Sequence, residues 1–416
     1  MIKDYLLKAN GWLFLVLITL IPFSFGYVWR EPLAISCLNL LSVGLLLVTI
    51  TNLAFGSLRW QKIDQKSLGI LIVLMFLMLI WGSLFSHPLR SILGPWTSRF
   101  LQPLLVGYSG YLLLKSGQLK LSVIAGALWV SLALIAGHGL LQWIDILPSN
   151  NASRLTGLYA FPNSFARYVE ILLLLLWPYL VLSKDRFRPL QLLIWLAGLL
   201  VLVGTVSYAG IGSFIVGLTT IIAFLPKSFR RLKIVYIVIL LVAILGGGVY
   251  RTQLPKYQAT TTTSRESRQQ FWQVAWATIK EHPLTGIGLE GWERQYPELA
   301  RKHLAVVPIE PTTAQPHNIY LDATLRAGLL GLIAIMYLLF WPIVITVRLA
   351  KEGLEKIGEE RWLVLGVLGY ATAMVVFGLV DDPIFSDDVM LMLFIIYLTL
   401  SSVCGRKSGI ISSNES

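Results

Sequence analysis

Of the five histidines, His317 alone stands where a polar stretch meets an apolar one, in PHNIYLDATLRAGLLG. An imidazole at such a junction is part in water and part in lipid. It can take a proton from a hydroxyl as general base, although a capping or interfacial role is the plainer reading. His87 and His282 each precede a Pro, His138 lies in an apolar helix and His303 in a charged helical stretch. Arg265 and Arg268 flank a second feature. Thr263 with Glu266 three residues on reads as a capping box, which predicts a helix start there and both arginines in its first turns. Cations are disfavoured at that end of a helix dipole. With the free backbone N–H groups they would clamp a phosphate or diphosphate, the alternative being solvated arginines balanced by Glu266. Arg154 precedes the turn-rich LTGLYAFPN, Arg167 and Glu170 follow it, and Arg99 lies inside an apolar run. Ionisable groups at membrane depth point to function, while Arg99 and Arg167 are also long enough to snorkel to an interface. The spacings i, i+3 and i, i+4 predict the pairs Arg167–Glu170 and Asp322–Arg326. The acids Asp381, Asp382, Asp387 and Asp388 of DDPIFSDD have the chemistry but not the spacing of a cation site, so they read as a solvated acidic loop. GIGLEG (Gly286–Gly291) matches a dinucleotide fingerprint but has no strand before it, and reads as a glycine turn.

The elements that must hold these groups follow from composition. The chain has 416 residues, 56% of them hydrophobic and only 13% charged, where a soluble domain has about 25%. Its mean hydropathy is +0.71. Such a chain cannot cover a globule with polar surface, so it is a polytopic membrane protein. About 20 apolar residues cross a bilayer as a helix. About twelve segments qualify, near Gly11–Trp29, Leu33–Phe55, Leu68–Phe85, Trp96–Leu114, Leu121–Ile144, Phe165–Leu182, Leu190–Val206, Ala209–Leu225, Leu232–Tyr250, Leu325–Val347, Trp362–Val380 and Val389–Cys404. Most Lys and Arg residues fall in the termini and in alternate loops, which sets both termini in the cytoplasm. The net charge of +12 is therefore mostly topological, and no separate basic, aromatic-studded face suggests nucleic acid. Cys37 and Cys404 lie in apolar runs and form neither a disulfide framework nor a metal site.

The unusual sequence collects on the opposite, periplasmic side: Asp145–Ser164, Asp381–Asp388, and above all residues 251–316, a long loop inserted between the ninth and tenth spans of a single membrane domain, 1–416. A loop this long is functional or disordered, and its Trp272, Trp276 and Trp292 argue for order. Trp272, Trp276 and Ile279, with Phe271 and Ala275, share a helical face suited to the headgroup level, on a helix expected to end near Glu281. No internal repeat of fixed period and no matched pair of broken helices mark an inverted-repeat transporter.

RLTGLYAFPN, the Arg268–Trp272 spacing, HPLTGIGL and PHNIYLDATLRAGLLG, in that order, resemble the motifs of the O-antigen ligase and polymerase superfamily. The resemblance implies an all-helical, GT-C-like membrane glycosyltransferase of the bacterial inner membrane, inverting and free of metal and cofactor. Its partners would be membrane lipids, an undecaprenyl-diphosphate-linked glycan donor, and an acceptor hydroxyl on a glycan, a lipid A core or a protein. It further implies that His317 is the general base or acceptor-orienting group, that Arg268 and Arg154 bind the diphosphate, and that Arg265, Arg167, Asn163, Asn318 and Tyr208 line the substrate. Family members often carry Ser-Arg-Gly at a tight periplasmic turn where this chain has SYAG, so Tyr208 stands where an arginine is expected. A polysaccharide polymerase, a bicarbonate-like anion transporter and a non-catalytic envelope scaffold are the alternative readings.

Overall fold

Apolar runs without charge leave backbone groups no partner but one another, so they fold as helices. The computed structural model describes residues 2–23, 37–63, 65–86, 92–149, 154–251, 255–313, 315–382 and 385–413, with the side chains of 37, 241–251, 255–263, 355, 356, 359, 387 and 405–413 excepted. His87, the side chains of Cys37 and Asp387, and the junction between the first two expected spans thus lie outside the described residues. The helices are α1 (Ile2–Leu20), α2 (Cys37–Ala54), α3 (Lys66–Leu84), α4 (Leu93–Trp96), α5 (Gln102–Lys115), α6 (Leu121–Trp143), α7 (Pro162–Leu182), α8 (Arg188–Gly204), α9 (Tyr208–Phe224), α10 (Arg230–Arg251), α11 (Pro255–Glu281), α12 (Gly291–His303), α13 (Ile319–Gly353), α14 (Arg361–Phe377) and α15 (Asp387–Ser413). No strand occurs among the described residues. A helix stands at each expected apolar segment. Five of these stretches are long and apolar enough to cross a membrane: Ile2–Phe23, Lys66–Leu84, Leu121–Trp143, Pro162–Leu182 and Ile319–Gly353. Leu38–Ala54, Arg188–Gly204, Tyr208–Phe224, Arg361–Phe377 and Asp388–Cys404 are shorter apolar helices.

α14, most of α15 and α7 beyond its polar first turns are apolar and buried on nearly every side, and so form the centre of the bundle. α9 packs on α7 and α14, α5 on α15, and α3 on α13. Exposed Leu193, Leu200, Val73 and Leu47 face outward, as a lipid-bathed surface requires.

The long connection folds as α11 and α12 and builds a small core of its own, in which Phe271, Val274 and Ala275 meet Ile287, Trp292, Tyr296 and Leu325. The expected Trp-rich face is split: Trp272 is turned inward, and Trp276 is exposed beneath the Lys280 ammonium, 5.8 Å away. α11 ends at Glu281 as expected, but it begins at Pro255, not at Thr263. The described helix already runs from Pro255, so the Thr263–Glu266 spacing is simply helix interior.

GIGLEG is the glycine turn it was read to be, and it has a partner. α13 is broken at Ala327 and Gly328, where φ is −148° and +59°. The two backbone groups freed there are satisfied by the loop: Ile287 N–H donates to the Leu325 carbonyl (2.7 Å) and Leu329 N–H to the Pro283 carbonyl (2.9 Å). Such re-satisfaction is what permits a broken helix inside an apolar bundle. A Cβ at Gly328 would run into the Leu284 backbone. Gly328→Ala should therefore destabilise the protein by about 2–4 kcal/mol, from a strained φ plus a clash that backbone cannot relieve. Thermal unfolding of the purified variant checks this.

Candidate functional site

The site begins where α13 starts. Asn318 caps that helix, its Oδ1 accepting from Tyr320 and Leu321 N–H at 3.1 Å, while its Nδ2 donates to the Leu379 carbonyl (2.9 Å). Ile319 N–H donates to the Gly378 carbonyl (2.9 Å). The start of α13 is thus tied to the end of α14, and Asn318 does this tying with both ends of its amide. His317, just before the cap, has φ +53°. That left-handed conformation is rare outside glycine, and strained residues of this kind gather at functional sites. It is held from both sides. Trp272 Nε1 donates to the Pro316 carbonyl (3.1 Å), and the Phe271 ring stacks on the imidazole at 5.9 Å between centroids.

Asp381, beyond the end of α14, completes the arrangement. Its Oδ1 is 2.8 Å from His317 Nδ1. Burial alone would push this carboxyl up; the hydrogen bond and charge of His317, then the charge of Arg268 and the Asp382 N–H, outweigh it and bring it down to about 2. An ionised carboxylate only accepts, so Nδ1 is the donor, and in the neutral imidazole Nε2 carries the free lone pair. The imidazole is oriented as a base, with Nε2 directed away from its carboxylate partner.

From Asp381 the network continues to two further chain segments. Asn163 Nδ2 donates to Asp381 Oδ2 (2.9 Å), and Arg154 Nη2 donates to Asn163 Oδ1 (3.1 Å). Arg154 Nε donates to the Thr205 carbonyl (2.8 Å), at the sharp turn where Val206 has φ +50°. The loop carrying Arg154 is itself pinned: Leu155 N–H donates to the Gly204 carbonyl, and Gln142 brackets Gly157 from both backbone groups. Hydrogen bonds therefore run without a break from Arg154 through Asn163 and Asp381 to His317. Arg268 lies on α11 one turn before Phe271 and Trp272. Its charge acts on Asp381, and its Nε is buried without a hydrogen-bond partner. A buried guanidinium N–H with no acceptor is costly in itself and suited to an incoming anion.

Other expectations need correction. Arg265 and Arg268 lie about three turns inside α11, so the helix dipole contributes nothing to an anion site there. Arg265 is exposed, one turn before Arg268. Arg167 does not pair with Glu170; it reaches α15 instead, donating to Ser386 Oγ (3.1 Å) and standing 3.8 Å from Asp388 Oδ1. Asp381, Asp382 and Asp388 are buried, not solvated, because each has a hydrogen-bond donor or cation brought to it by another helix. Asp322 and Arg326 do pair, at 2.5 Å, inside the α13 kink. Tyr208 opens α9 and is 61% exposed, three residues beyond the Thr205 carbonyl that anchors Arg154. Arg99 lies in a single π turn, Thr97–Leu101, 4.0 Å from Glu290. Among the described residues no group of three or more His, Cys, Asp or Glu is placed to hold a metal ion.

Residues 192–336, from α8 into α13, match the family model described as O-antigen ligase. That match supports the O-antigen ligase and polymerase superfamily for this chain. No curated protein matches it. That family implies a glycosyltransferase-like type of enzyme. The matched segment holds Arg268, His317, Asn318 and Tyr208, while Arg154, Asn163 and Asp381 lie outside it and join the site only through folding.

Asp381 is the residue that sequence reading misassigned; the apolar setting of DDPIFSDD, between two spans, was its one visible signal. Asp381→Asn should cost the protein about 2 kcal/mol of stability near neutral pH. The sign follows from the depressed carboxyl: its contribution is present above the unfolded value near 3.9 and is lost as pH falls through about 2. Denaturation of both proteins from pH 7 down to pH 2 should show the difference shrinking at the acid end.

Proposed function

We propose that the protein transfers a glycan from an undecaprenyl-diphosphate carrier to an acceptor hydroxyl at the periplasmic face of the inner membrane. In this reading about twelve spans cross the bilayer, both termini are cytoplasmic, and residues 251–316 are periplasmic. The observation that carries it is the unbroken run from Arg154 to His317, with the unpartnered Nε of Arg268 beside the same carboxylate. An oriented base next to cations is what hydroxyl attack on a diphosphate-activated sugar requires.

His317 Nε2 takes the acceptor proton as the hydroxyl oxygen attacks the anomeric carbon. The bond from that carbon to the phosphate oxygen breaks on the opposite face, so the configuration inverts. The electron pair leaves with the lipid diphosphate, whose charge Arg268 and Arg154 stabilise. Asp381 keeps the base in its tautomer and supports the imidazolium that forms. A diphosphate leaving group makes the reaction independent of metal. Arg265, exposed on α11, and Tyr208, exposed at the start of α9, would contact the glycan in this reading.

The test is transfer by the purified protein in lipid nanodiscs, with a polyprenyl-diphosphate-linked glycan as donor and candidate acceptors in turn. Formation of an inverted glycoside with release of the lipid diphosphate is expected, unaffected by chelator. Anion uptake into proteoliposomes without any transfer would overturn it. Gene deletion separates the two acceptor classes: loss of a ligase leaves long lipid-linked polymer, and loss of a polymerase leaves single repeat units.

A further inference from the structure

Three polar side chains of α7 form a stripe that the reaction scheme only touches at its top. Asn163, Arg167 and Glu170 recur at i, i+4 and i+7, so they stack down one face of the most buried helix over about 10 Å. Asn163 holds Asp381. Arg167, 5% exposed, donates to Ser386 and faces Asp388, whose other oxygen accepts from the Tyr159 hydroxyl at 3.2 Å. Glu170 is 2% exposed, and both its carboxyl oxygens are buried without a hydrogen-bond partner. The hydroxyls of Tyr168 and Tyr370 are buried and unpartnered too, and that of Ser213 donates to the Ala209 and Gly210 carbonyls.

The charges in this cluster do not balance as written. One guanidinium, Arg167, faces two carboxyl groups, and its contacts go to α15 and not to Glu170. An uncompensated carboxylate inside an apolar bundle is strongly disfavoured, and one proton removes it. We infer that Glu170 is an un-ionised carboxylic acid, and that Arg167, left with Asp388 as its charged partner, is a positioning residue that clamps the start of α15 and thereby the segment presenting Asp381 to His317. Neutral Glu170 offers Arg167 no competing charge one turn away, so the clamp stays on α15. Arg167 is then a strut under the site and makes no contact with the donor. Only the kinetic arm of the test below rests on the glycan-transfer reading.

The first measurement is an infrared difference spectrum, wild type minus Glu170→Gln, of the full-length protein in nanodiscs at neutral pH. A band of an un-ionised carboxylic carbonyl, shifted in heavy water, is expected. Carboxylate bands in its place overturn the assignment. Should Glu170→Gln be recovered poorly, Glu170→Met supplies the same subtraction. The second measurement is steady-state kinetics of Arg167→Gln. A kcat lower by about tenfold is expected, with KM for the lipid-linked donor within about twofold of wild type. Arg167→Gln combined with Asp388→Asn should recover part of that loss, because no carboxylate is left unpaired. A raised KM at unchanged kcat would make Arg167 a donor-binding residue and end the positioning role. Absence of transfer by the wild type would remove the functional reading, while the infrared result would still decide the protonation of Glu170.

Discussion

Glycan transfer by His317→Ala should be slower than wild type by about 10²-fold or more, with the loss in kcat. The imidazole is the group whose lone pair the fold leaves directed away from a carboxylate, and its tautomer is set by an Asp381 oxygen 2.8 Å away. Without it the acceptor hydroxyl must attack while still protonated. Alanine at φ +53° is strained for reasons unrelated to catalysis. His317→Asn is the cleaner comparison, because asparagine tolerates this backbone conformation and has no base that titrates near neutrality. Both variants should fail in transfer, and His317→Asn should keep more of the wild-type thermal midpoint than His317→Ala. Near-normal transfer by both, at normal protein levels, would take His317 out of the reaction.

Arg268→Ala is expected to produce a loss of similar size, about 10²-fold or more in kcat/KM for the lipid-linked donor. Two features argue for so large an effect. Its Nε is buried with nothing to donate to, so its hydrogen-bonding capacity is held in reserve. Its charge also reaches Asp381, the carboxylate that His317 uses, so in the proposed scheme one guanidinium acts on both the leaving diphosphate and the base's partner. Arg268→Lys keeps the charge but loses the planar fork that matches phosphate oxygens, and should recover only part of the rate. Donor titrations of the three proteins separate loss of binding from loss of rate. An unchanged kcat/KM in Arg268→Ala, in protein that is folded and inserted, would move the diphosphate elsewhere.

Both predictions concern residues that could be picked out before any fold was known, His317 from its place at a polar–apolar junction and Arg268 from its unusual setting. The reasons first given for them fared differently. The junction is real, since His317 immediately precedes the α13 cap. The helix-start argument for Arg268 does not hold, because Pro255 starts α11 and the Thr263–Glu266 spacing is interior. A capping box is a local pattern that recurs by chance, and Pro255, visible in the same stretch, was the stronger start signal. Arg167 and Glu170 were paired by helical spacing alone. In the bundle, Arg167 has a second acid within reach from α15, and partner choice between two carboxyls is made by packing, not by distance along one helix. Asp381 was hidden for a related reason: an acidic loop reads as solvated unless the cations facing it are known, and those arrive from α7, α11 and the start of α13.

Composition and apolar run lengths by themselves determined that this is a helical membrane protein and where its apolar helices lie, and the glycine spacing determined that GIGLEG is a turn. These are consequences of local chemistry: a backbone in an apolar medium must satisfy itself, and glycine goes where φ is positive. The tertiary structure alone decided which charges meet. Asp381 joins His317, Asn163 and Arg154 because α13 is tied to the end of α14 and α7 packs beside them, and in a low-dielectric interior each buried charge is defined by whichever partner the neighbouring helix brings.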